Sequence, residues 1–298
     1  MIKFLKKQKA YLLIGYAFLL LVHFGFKDHF YVTGILFYAF PLPILILGDI
    51  TIFALFFSNK IIRYSSLALL CLLVLLWFKN YHFNSNISKI KSKHSIVLWN
   101  IAKEKNKNLD FLKHKIKIEE PETLVFVEAF HNSRDSTYFS SQLKPYNVKC
   151  LAGSIVVASK HNIEFVKYVK EVSNFKFCHI KLHSKNKPIE IIIIDVFASP
   201  IHSRKDALQK IINYAEANNI DIIAGDFNTP YESVHFKMYA TNYQSLRKFQ
   251  NGFSSTWPFG LPLLELDQIW IKKSHTPIAL KKFYNVDTDH AMLLGFFD

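Results

Sequence analysis

Two polar residues, Asp226 and Asn228, follow a short apolar segment of the chain at 222–224. Gly225 ends the apolar run, and Pro230 cannot continue a β-ladder because it has no backbone N–H. Side chains two residues apart on an extended chain point to the same side. A carboxylate and a carboxamide would then face one point at the edge of a sheet. Taken alone, Asp-x-Asn is also a common turn sequence, so a catalytic or metal-binding role for it must be supported by other residues in the chain.

Other polar residues stand at the ends of apolar segments elsewhere in the chain. They are Asn100, Glu128, Asp267, Asp289 and His290. Burying an ionised carboxylate costs several kcal/mol unless it is paired or bound to a metal. One such residue can be a helix cap or part of a turn. Seven of them at the ends of predicted strands indicate one shared polar pocket at the edge of a sheet.

The apolar segments that carry these residues have the lengths and compositions of β-strands. We predict strands at 95–101, 123–128, 146–150, 154–159, 163–169, 175–182, 188–196, 266–272, 278–283 and 291–296, with helices at 106–117 and 204–218. The connections between 146 and 196 are too short for helices, so this part should form an antiparallel meander. The expected fold class is α+β, with two sheets packed face to face and helices outside.

The polar strand ends occur in short motifs whose order along the chain is specific. The motifs are Trp99-Asn100-Ile101, Val125-Phe126-Val127-Glu128, the glycine-led segment 153–160, Gly225-Asp226-Phe227-Asn228, Leu266-Asp267-Gln268-Ile269 and Asp289-His290. Each motif is weak evidence, but the ordered set resembles the endonuclease/exonuclease/phosphatase superfamily, which has the deoxyribonuclease I-like fold. The resemblance covers 95–298. Thr256-Trp257-Pro258, with the apolar N-terminal region, is similar to the bacterial membrane-anchored branch.

The resemblance implies a four-layer α/β/β/α sandwich of two mostly antiparallel sheets and a metal-dependent phosphoesterase site. Glu128 would hold Mg²⁺, with Mn²⁺ as the alternative, because oxygen ligands suit these hard cations. Asp289 would support the metal or the attacking water. Phosphodiester cleavage needs such a cation, an oriented water molecule and stabilisation of the phosphoryl charge.

The same resemblance assigns roles to the other strand-end residues. Asp226 would orient and deprotonate the attacking water, and Asn100 and Asn228 would donate hydrogen bonds to phosphoryl oxygens and position the cation. His290 would contact the scissile phosphate as an imidazolium. Asp267 would bond the other ring nitrogen of His290 and raise its pKa, a role that carboxylates often have beside histidine.

One residue of the family pattern is missing from this sequence. The superfamily usually carries a second histidine at the end of the strand before the long helix, where this chain has Val196 and Phe197. His202 and Arg204 follow shortly afterwards and are tentative substrate contacts. Gln268 stands where the branch usually has histidine. Loss of one general acid or base typically lowers a rate by about 10² to 10⁴, so three alternatives are left open: a slow enzyme, an enzyme tuned to a better leaving group, or an inactive protein.

The first 80 residues carry eight basic and two acidic residues and contain apolar runs at 11–26, 31–57 and 65–78. We predict a membrane anchor at 1–80 with three transmembrane helices, a polar linker at 81–94 and the catalytic domain at 95–298. The distribution of basic residues places the N-terminus in the cytoplasm. Three spans then place the catalytic domain outside the cytoplasmic membrane of a bacterium, in the periplasm, whereas two spans leave it in the cytoplasm.

The remaining 218 residues carry 29 basic and 21 acidic residues, a balance compatible with phosphate-bearing substrates and with an anionic bilayer. The first function hypothesis is a membrane-anchored phosphoesterase acting on nucleic acid, phospholipid or a small phosphate ester. The second is a non-catalytic domain that recognises phosphate and keeps the fold. The membrane is the expected partner, and the oligomeric state is left open. Three cysteines do not make a disulfide framework, and pairing of Cys150 with Cys178 is also left open.

Overall fold

The computed structural model describes residues 2–84, 90–102, 109–129, 134–184, 187–286 and 288–298. The chain divides into two compact units. The first contains Met1–Tyr81 and Glu232–Val234, and the second contains His82–Tyr231 and His235–Asp298.

The first unit is built from apolar helices. They are α1 (Ile2–Leu21), which continues as a π-helical turn at Val22–Phe26, α2 (Tyr31–Ala39), α3 (Leu42–Leu55) and α4 (Lys60–Phe78). Two stretches, Gln8–Phe26 and Lys60–Phe78, are long and apolar enough to cross a membrane. The helices α2 and α3 are bent by 74° at their junction and make a third candidate if together they form one span.

The predicted apolar run 31–57 is therefore two helices rather than one. Pro41 causes the break, because a residue before proline is disfavoured in the helical region, and Phe40 has φ −121° and ψ 67°. The predicted run 65–78 begins earlier than expected. The side chain of Asn59 accepts a hydrogen bond from the Ile62 N–H at 3.2 Å and so starts α4 at Lys60.

The second unit contains most of the strands and three further helices. In chain order the strands are β1 (Tyr81–His82), β2 (His94–Asn100), β3 (Thr123–Val127), β4 (Asn147–Leu151), β5 (Ile155–Ser159), β6 (Asn162–Glu171), β7 (Phe175–His183), β8 (Ile189–Val196), β9 (Ile222–Asp226), β10 (Tyr243–Ser245), β11 (Gly252–Phe253), β12 (Asp267–Lys272), β13 (Pro277–Phe283) and β14 (Met292–Phe297). The helices are α5 (Asp110–Glu119), α6 (Arg134–Gln142) and α7 (Arg204–Ala217), and short 3₁₀ turns lie at Val234–Lys237, Tyr239–Thr241 and Leu246–Phe249.

Two six-stranded sheets form the body of this unit. Their strand orders are β13-β14-β2-β3-β5-β4 and β10-β12-β9-β8-β7-β6, and we call them the first and the second sheet. Neighbouring strands are antiparallel except for one parallel pair in each sheet, β2 with β3 and β8 with β9. The predicted α+β class and the two mostly antiparallel sheets are confirmed.

Three apolar clusters separate the layers. The cluster between the sheets takes side chains from both of them, including Leu98, Val125, Ile193, Ala224 and Ile269. A second cluster packs Leu112 of α5 and Phe139 of α6 on the outer face of the first sheet. The third packs Leu208 and Ile211 of α7 on the outer face of the second sheet. The layers are therefore helix, sheet, sheet and helix.

The predicted single meander over 146–196 is wrong. Strands β4 and β5 belong to the first sheet, whereas β6, β7 and β8 form a meander in the second. The reason is that β5 already pairs with β3 on one side and β4 on the other, so the next strand cannot join it. Both Cys150 and Cys178 are free thiols.

The strand directions gather the polar residues at one edge of the sandwich. Asn100 ends β2, and the parallel strand β3 ends beside it at Val127. Asp226 ends β9 in the other sheet, and the antiparallel strand β12 begins opposite it at Asp267. His290 lies just before β14, which is antiparallel to β2. Polar strand ends that are far apart in sequence therefore meet.

Gly225 brings β9 close to β8 immediately before Asp226. Its φ is +153°, and a Cβ at this position would lie 2.0 Å from the backbone oxygen of Ile194. Real Cβ atoms do not approach a backbone oxygen so closely. Glycine is therefore required here by the path of the neighbouring strand.

We predict that Gly225→Ala lowers the thermal unfolding midpoint of the full chain in detergent by about 5 to 15 °C, because the clash is with rigid backbone. Gly252→Ala is the matched control: its φ is also positive, at +87°, but no atom lies within 4 Å of the added Cβ. The control should lose about 2 to 4 °C. Equal losses in the two variants would contradict the steric explanation.

Candidate active site

A hydrogen bond joins the two sheets at the polar edge. Nδ2 of Asn100, the last residue of β2, donates to Oδ2 of Asp226 at 2.9 Å. Asp226 in turn is the register partner of Asp267 on one side and of Asp195 on the other. Three carboxylates thus lie side by side on adjacent strands.

Asp226 is 1% exposed and its two carboxylate oxygens are both hydrogen-bonded. Oδ2 accepts from Asn100, and Oδ1 accepts from the backbone N–H of Asn228 at 2.8 Å. Burial raises the pKa of Asp226, the negative charge of Asp267 raises it further, and the charge of His290 lowers it in part. A carboxylate with a raised pKa is suited to accept a proton from water near neutral pH.

His290 is held by Asp267 through a buried ion pair. Nδ1 of His290 lies 2.8 Å from Oδ2 of Asp267. Burial lowers the pKa of His290, but the charge and hydrogen bond of Asp267, together with the charges of Asp226 and Asp289, outweigh burial and raise it to about 10. The ring is therefore an imidazolium at neutral pH, with both N–H groups as donors. The predicted bond between Asp267 and His290 is present.

The two predicted metal ligands, Glu128 and Asp289, lie outside the cluster of two aspartates and one histidine at this edge. In the part of the chain that the structure describes, Asp226, Asp267 and His290 have ligand atoms within 4.8 Å of one another. Asp289 instead accepts a hydrogen bond from Nε1 of Trp257 at 2.7 Å, and its Oδ1 lies 3.9 Å from Nε2 of His290. Glu128 follows β3 with φ +51° and is partly exposed.

The donor set of this edge fits a hard divalent cation. Oδ1 of Asp267 is buried and has no hydrogen-bond partner among the described residues. Such cations take carboxylate oxygens and keep several water ligands. The oxygens of Asp226 are already engaged. The partly exposed carboxylates of Glu128 and Asp289, whose side chain is 30% exposed, are the more accessible ones.

Asn228 and Arg204 together hold the turn after β9. Asn228 has φ +45°, and its Nδ2 donates to the backbone oxygen of Val196 at 2.8 Å. Nε of Arg204 donates to the backbone oxygen of Asn228 at 3.1 Å, and Arg204 is only 3% exposed. Arg204 is thus buried and holds this turn, and its contact with substrate stays a prediction. The carboxamide of Asn228 likewise ties the turn to β8.

An aromatic residue occupies the strand end where a histidine was expected. Phe197 is 44% exposed, and its ring meets the ring of His202 edge-on at 5.1 Å. His202 therefore packs on Phe197 and is not a member of the group formed by Asp226, Asp267 and His290.

Gln268 does not take the place of a site histidine. Strand alternation points it to the face opposite Asp267, where its Nε2 donates to the backbone oxygen of Thr229 at 3.2 Å. Its Oε1 accepts from Nε1 of Trp270 at 2.9 Å. Gln268 therefore supports the turn after Asp226 from behind.

Two threonines that the sequence prediction missed align the site. Oγ1 of Thr256 accepts from the backbone N–H groups of Leu266 and Asp267, both at 3.0 Å. Oγ1 of Thr288 donates to the backbone oxygen of Asn100 at 3.0 Å and accepts from the His290 N–H at 3.2 Å. Thr256 lies in a motif noted only as a family likeness, and Thr288 had no local signal.

No protein-family model matches the chain, and no curated protein matches it. Solved structures do match. The endonuclease/exonuclease/phosphatase from Bacteroides vulgatus has 15% identity and a TM-score of 0.55, over 70% of this chain and 99% of that one. This chain has the endonuclease/exonuclease/phosphatase fold. The resemblance in fold is thereby confirmed, and at this identity it carries the fold alone.

Two further proteins with this fold have more specific names. A mannosyl-6-phosphatase from Bacteroides thetaiotaomicron has 10% identity and a TM-score of 0.54, over 69% of this chain and 100% of that one. D. rerio TDP2, solved with a single-strand DNA product, has 12% identity and a TM-score of 0.52, over 70% of this chain and 100% of that one. Proteins that share this fold therefore include a mannosyl-6-phosphatase and a protein solved in complex with DNA.

We predict that Asp267→Asn lowers the pKa of His290 from about 10 towards its ordinary value of 6.5, because the charge and hydrogen bond of Asp267 are lost while the charges of Asp226 and Asp289 still oppose burial. NMR titration of the histidine ring protons in metal-free buffer measures this, with His290→Gln used to assign the signal.

Asp221→Asn is the matched control. Asp221 precedes β9 at its opposite end, and its Oδ1 lies 3.3 Å from Nε2 of His275. This variant also breaks a buried contact between aspartate and histidine, yet it should leave the titration of His290 unchanged. An unaltered His290 pKa in Asp267→Asn would refute the assignment.

Proposed function

We propose that this chain is a membrane-anchored, divalent-metal-dependent phosphoesterase that hydrolyses phosphodiester or phosphomonoester bonds by attack of water. The observation that carries the proposal is the buried pair of Asp267 and His290 beside Asp226, on the edge of a sandwich with this fold. Phosphoryl transfer requires a base, a positively charged group and fixed hydrogen-bond donors at one point. Asp226 and the imidazolium of His290 are the base and the positively charged group here.

Each residue has a role that its contacts support. Asp226 accepts a proton from the attacking water while the water oxygen forms the new bond to phosphorus and the bond to the leaving oxygen breaks. His290, as an imidazolium, donates through Nε2 to a phosphoryl oxygen, and Asp267 fixes the ring through Nδ1. Asn100 holds Asp226 in place through Nδ2, at 2.9 Å.

Glu128 and Asp289 are the residues that would hold Mg²⁺, or Mn²⁺ in its place. The bound cation supplies charge neutralisation and Lewis acidity at the phosphoryl oxygens. The support is the donor set: these two carboxylates are accessible, whereas the neighbouring Asp226 and Asp267 are buried.

The substrate class has three candidates. The excess of basic over acidic residues after position 80 favours a polyanion such as nucleic acid, and TDP2 of this fold was solved with single-strand DNA. Membrane anchoring favours a phospholipid head group. The named mannosyl-6-phosphatase favours a small phosphate ester.

A non-catalytic phosphate-recognising domain is the second candidate function. The observation that favours it is Phe197, which supplies no donor or proton at the strand end. The buried pair of Asp267 and His290 weighs against it, since phosphate recognition alone does not require a buried base beside that pair.

The assay uses the full chain in detergent with bis-nitrophenyl phosphate, plasmid DNA and sphingomyelin vesicles, each with Mg²⁺ or Mn²⁺. Asp226→Asn should lower kcat/KM by about 10² to 10⁴, because the base is lost. EDTA should abolish turnover and added metal should restore it.

Asp221→Asn is again the control, since it alters a buried aspartate at the other end of the same strand and should keep wild-type turnover. If wild type and Asp226→Asn turn over every substrate equally, the catalytic assignment fails. Metal-dependent phosphate binding without turnover would favour the recognition domain.

For location, we propose three spans in a bacterial cytoplasmic membrane, with the catalytic domain in the periplasm. The support is the pair of helices long and apolar enough to span a membrane, the bent pair between them in the chain and the basic N-terminus. If the domain is periplasmic, alkaline phosphatase fused after Asp298 should be active. Green fluorescent protein fused at the same place should not fluoresce. The reverse result would place the domain in the cytoplasm.

A further inference from the structure

A row of four charged residues crosses the second sheet in register. Lys176 of β7 pairs with Asp195 of β8, Asp195 with Asp226 of β9, and Asp226 with Asp267 of β12. Residues directly opposite one another on adjacent strands project to the same face of a sheet. Lys176 therefore stands at one end of the row, and Asp267 with its partner His290 stands at the other.

The row faces the interior of the sandwich. The next inward-facing residues on the same four strands, two positions away from the row, are Cys178, Ile193, Ala224 and Ile269. All four belong to the apolar cluster between the sheets. Alternation along a strand puts residues two apart on the same side. Lys176 and Asp195 thus project towards the side on which Asn100 of the first sheet bonds Asp226.

An ion pair holds the ammonium group of Lys176 in this row. Its Nζ lies 2.8 Å from Oδ2 of Asp195. The side chain of Asp195 is 8% exposed and that of Lys176 is 22% exposed. The charge of Asp195 contributes to the raised pKa of Asp226, so the neighbouring strand positions are electrostatically coupled. The cation is therefore fixed beside the carboxylates and remains open to solvent on one side.

That open side is a cleft of about 560 Å³. Its walls include Gly153, Tyr168, Lys170, Lys176, Asp195 and Phe197. Gly153 leaves room for the lysine, because a Cβ there would lie 3.1 Å from Cδ of Lys176 and 3.0 Å from the Tyr168 ring. The volume is in the range of small-molecule sites, and Asp195 belongs both to the cleft and to the row.

A phosphoryl group bound at Asp226 and His290 would carry negative charge on its side away from His290. Phe197, at the end of β8, can offer no hydrogen bond there. A lysine ammonium has three donors and is a common phosphate contact. We propose that Lys176, oriented by Asp195, contacts the substrate phosphoryl group from the end of the row opposite His290. This inference rests on the proposed phosphoesterase function.

The alternative role for Lys176 is structural. Its partner Asp195 is buried, so truncation of Lys176 removes the ion pair of a buried carboxylate and should lower the thermal unfolding midpoint. Phosphate binding is therefore compared at a temperature at which every variant is folded, and Lys176→Arg, which keeps a positive charge beside Asp195, shows whether a loss of affinity follows the loss of charge.

The test measures binding of inorganic phosphate to the full chain in detergent by calorimetry, with Mg²⁺ present. Lys176→Ala should weaken binding by about 10- to 100-fold, the usual range for a lost charged hydrogen bond. Lys176→Arg should keep most of the affinity because the positive charge stays. Lys181→Ala is the matched control: Lys181 lies on the same strand, points to the outer face and pairs with Glu190 at 3.0 Å.

Turnover of bis-nitrophenyl phosphate by the same variants separates this inference from the proposed function. We expect kcat/KM to fall in Lys176→Ala and to stay unchanged in Lys181→Ala. Wild-type phosphate affinity in Lys176→Ala, an equal loss in Lys181→Ala, or no phosphate binding by the wild type would each overturn the contact. If wild type and Asp226→Asn have equal turnover, the hydrolase assignment fails, but the binding comparison still decides the role of Lys176.

Discussion

The hydrogen bond from Asn100 to Asp226 links the two sheets of the second unit at the edge where the polar residues lie. It requires β2 and β9 to end at the same edge with the right side chain inward, and a register slip of one residue would turn either side chain to the opposite face. The apolar cluster beneath it fixes both registers. Gly225 lets β9 pass close to β8 one residue earlier. The geometry of the site is thus a consequence of how the sandwich packs.

The same edge concentrates charge that would be costly without partners. Asp226 and Asp267 are each 1% exposed, and burying two adjacent carboxylates is unfavourable unless hydrogen bonds and a counter-charge compensate. The amide of Asn100, the N–H of Asn228 and the imidazolium of His290 provide that compensation. Thr256 and Thr288 fix the backbone on which Asp267 and His290 stand. The resulting arrangement remains rich in carboxylates, which is the condition for attracting a divalent cation.

The sequence supports prediction of this site where polar residues interrupt short apolar strands, as Asn100, Asp226, Asp267 and His290 do. Their signal is local, since each breaks a pattern that can be seen within six residues. The pairing of Lys176 with Asp195 has no such signal, because it depends on the register between β7 and β8. The division of 146–196 between two sheets was missed for the same reason. Burial of Arg204 depends on tertiary packing above β9, which a helix pattern does not contain.

A lysine and a histidine that contact the same phosphoryl group would not make equivalent sites. An ammonium group keeps its proton at neutral pH, whereas a histidine exchanges one there. A site with Lys176 opposite His290 would therefore gain charge stabilisation without a second acid or base. Proton transfer would fall to Asp226, and His290, held charged by Asp267, would mainly donate hydrogen bonds. Departure of the leaving group would then depend on the intrinsic acidity of that group more than on an enzymatic acid. Under the proposed function, this balance would favour esters of acidic alcohols or phosphates over esters of simple alcohols.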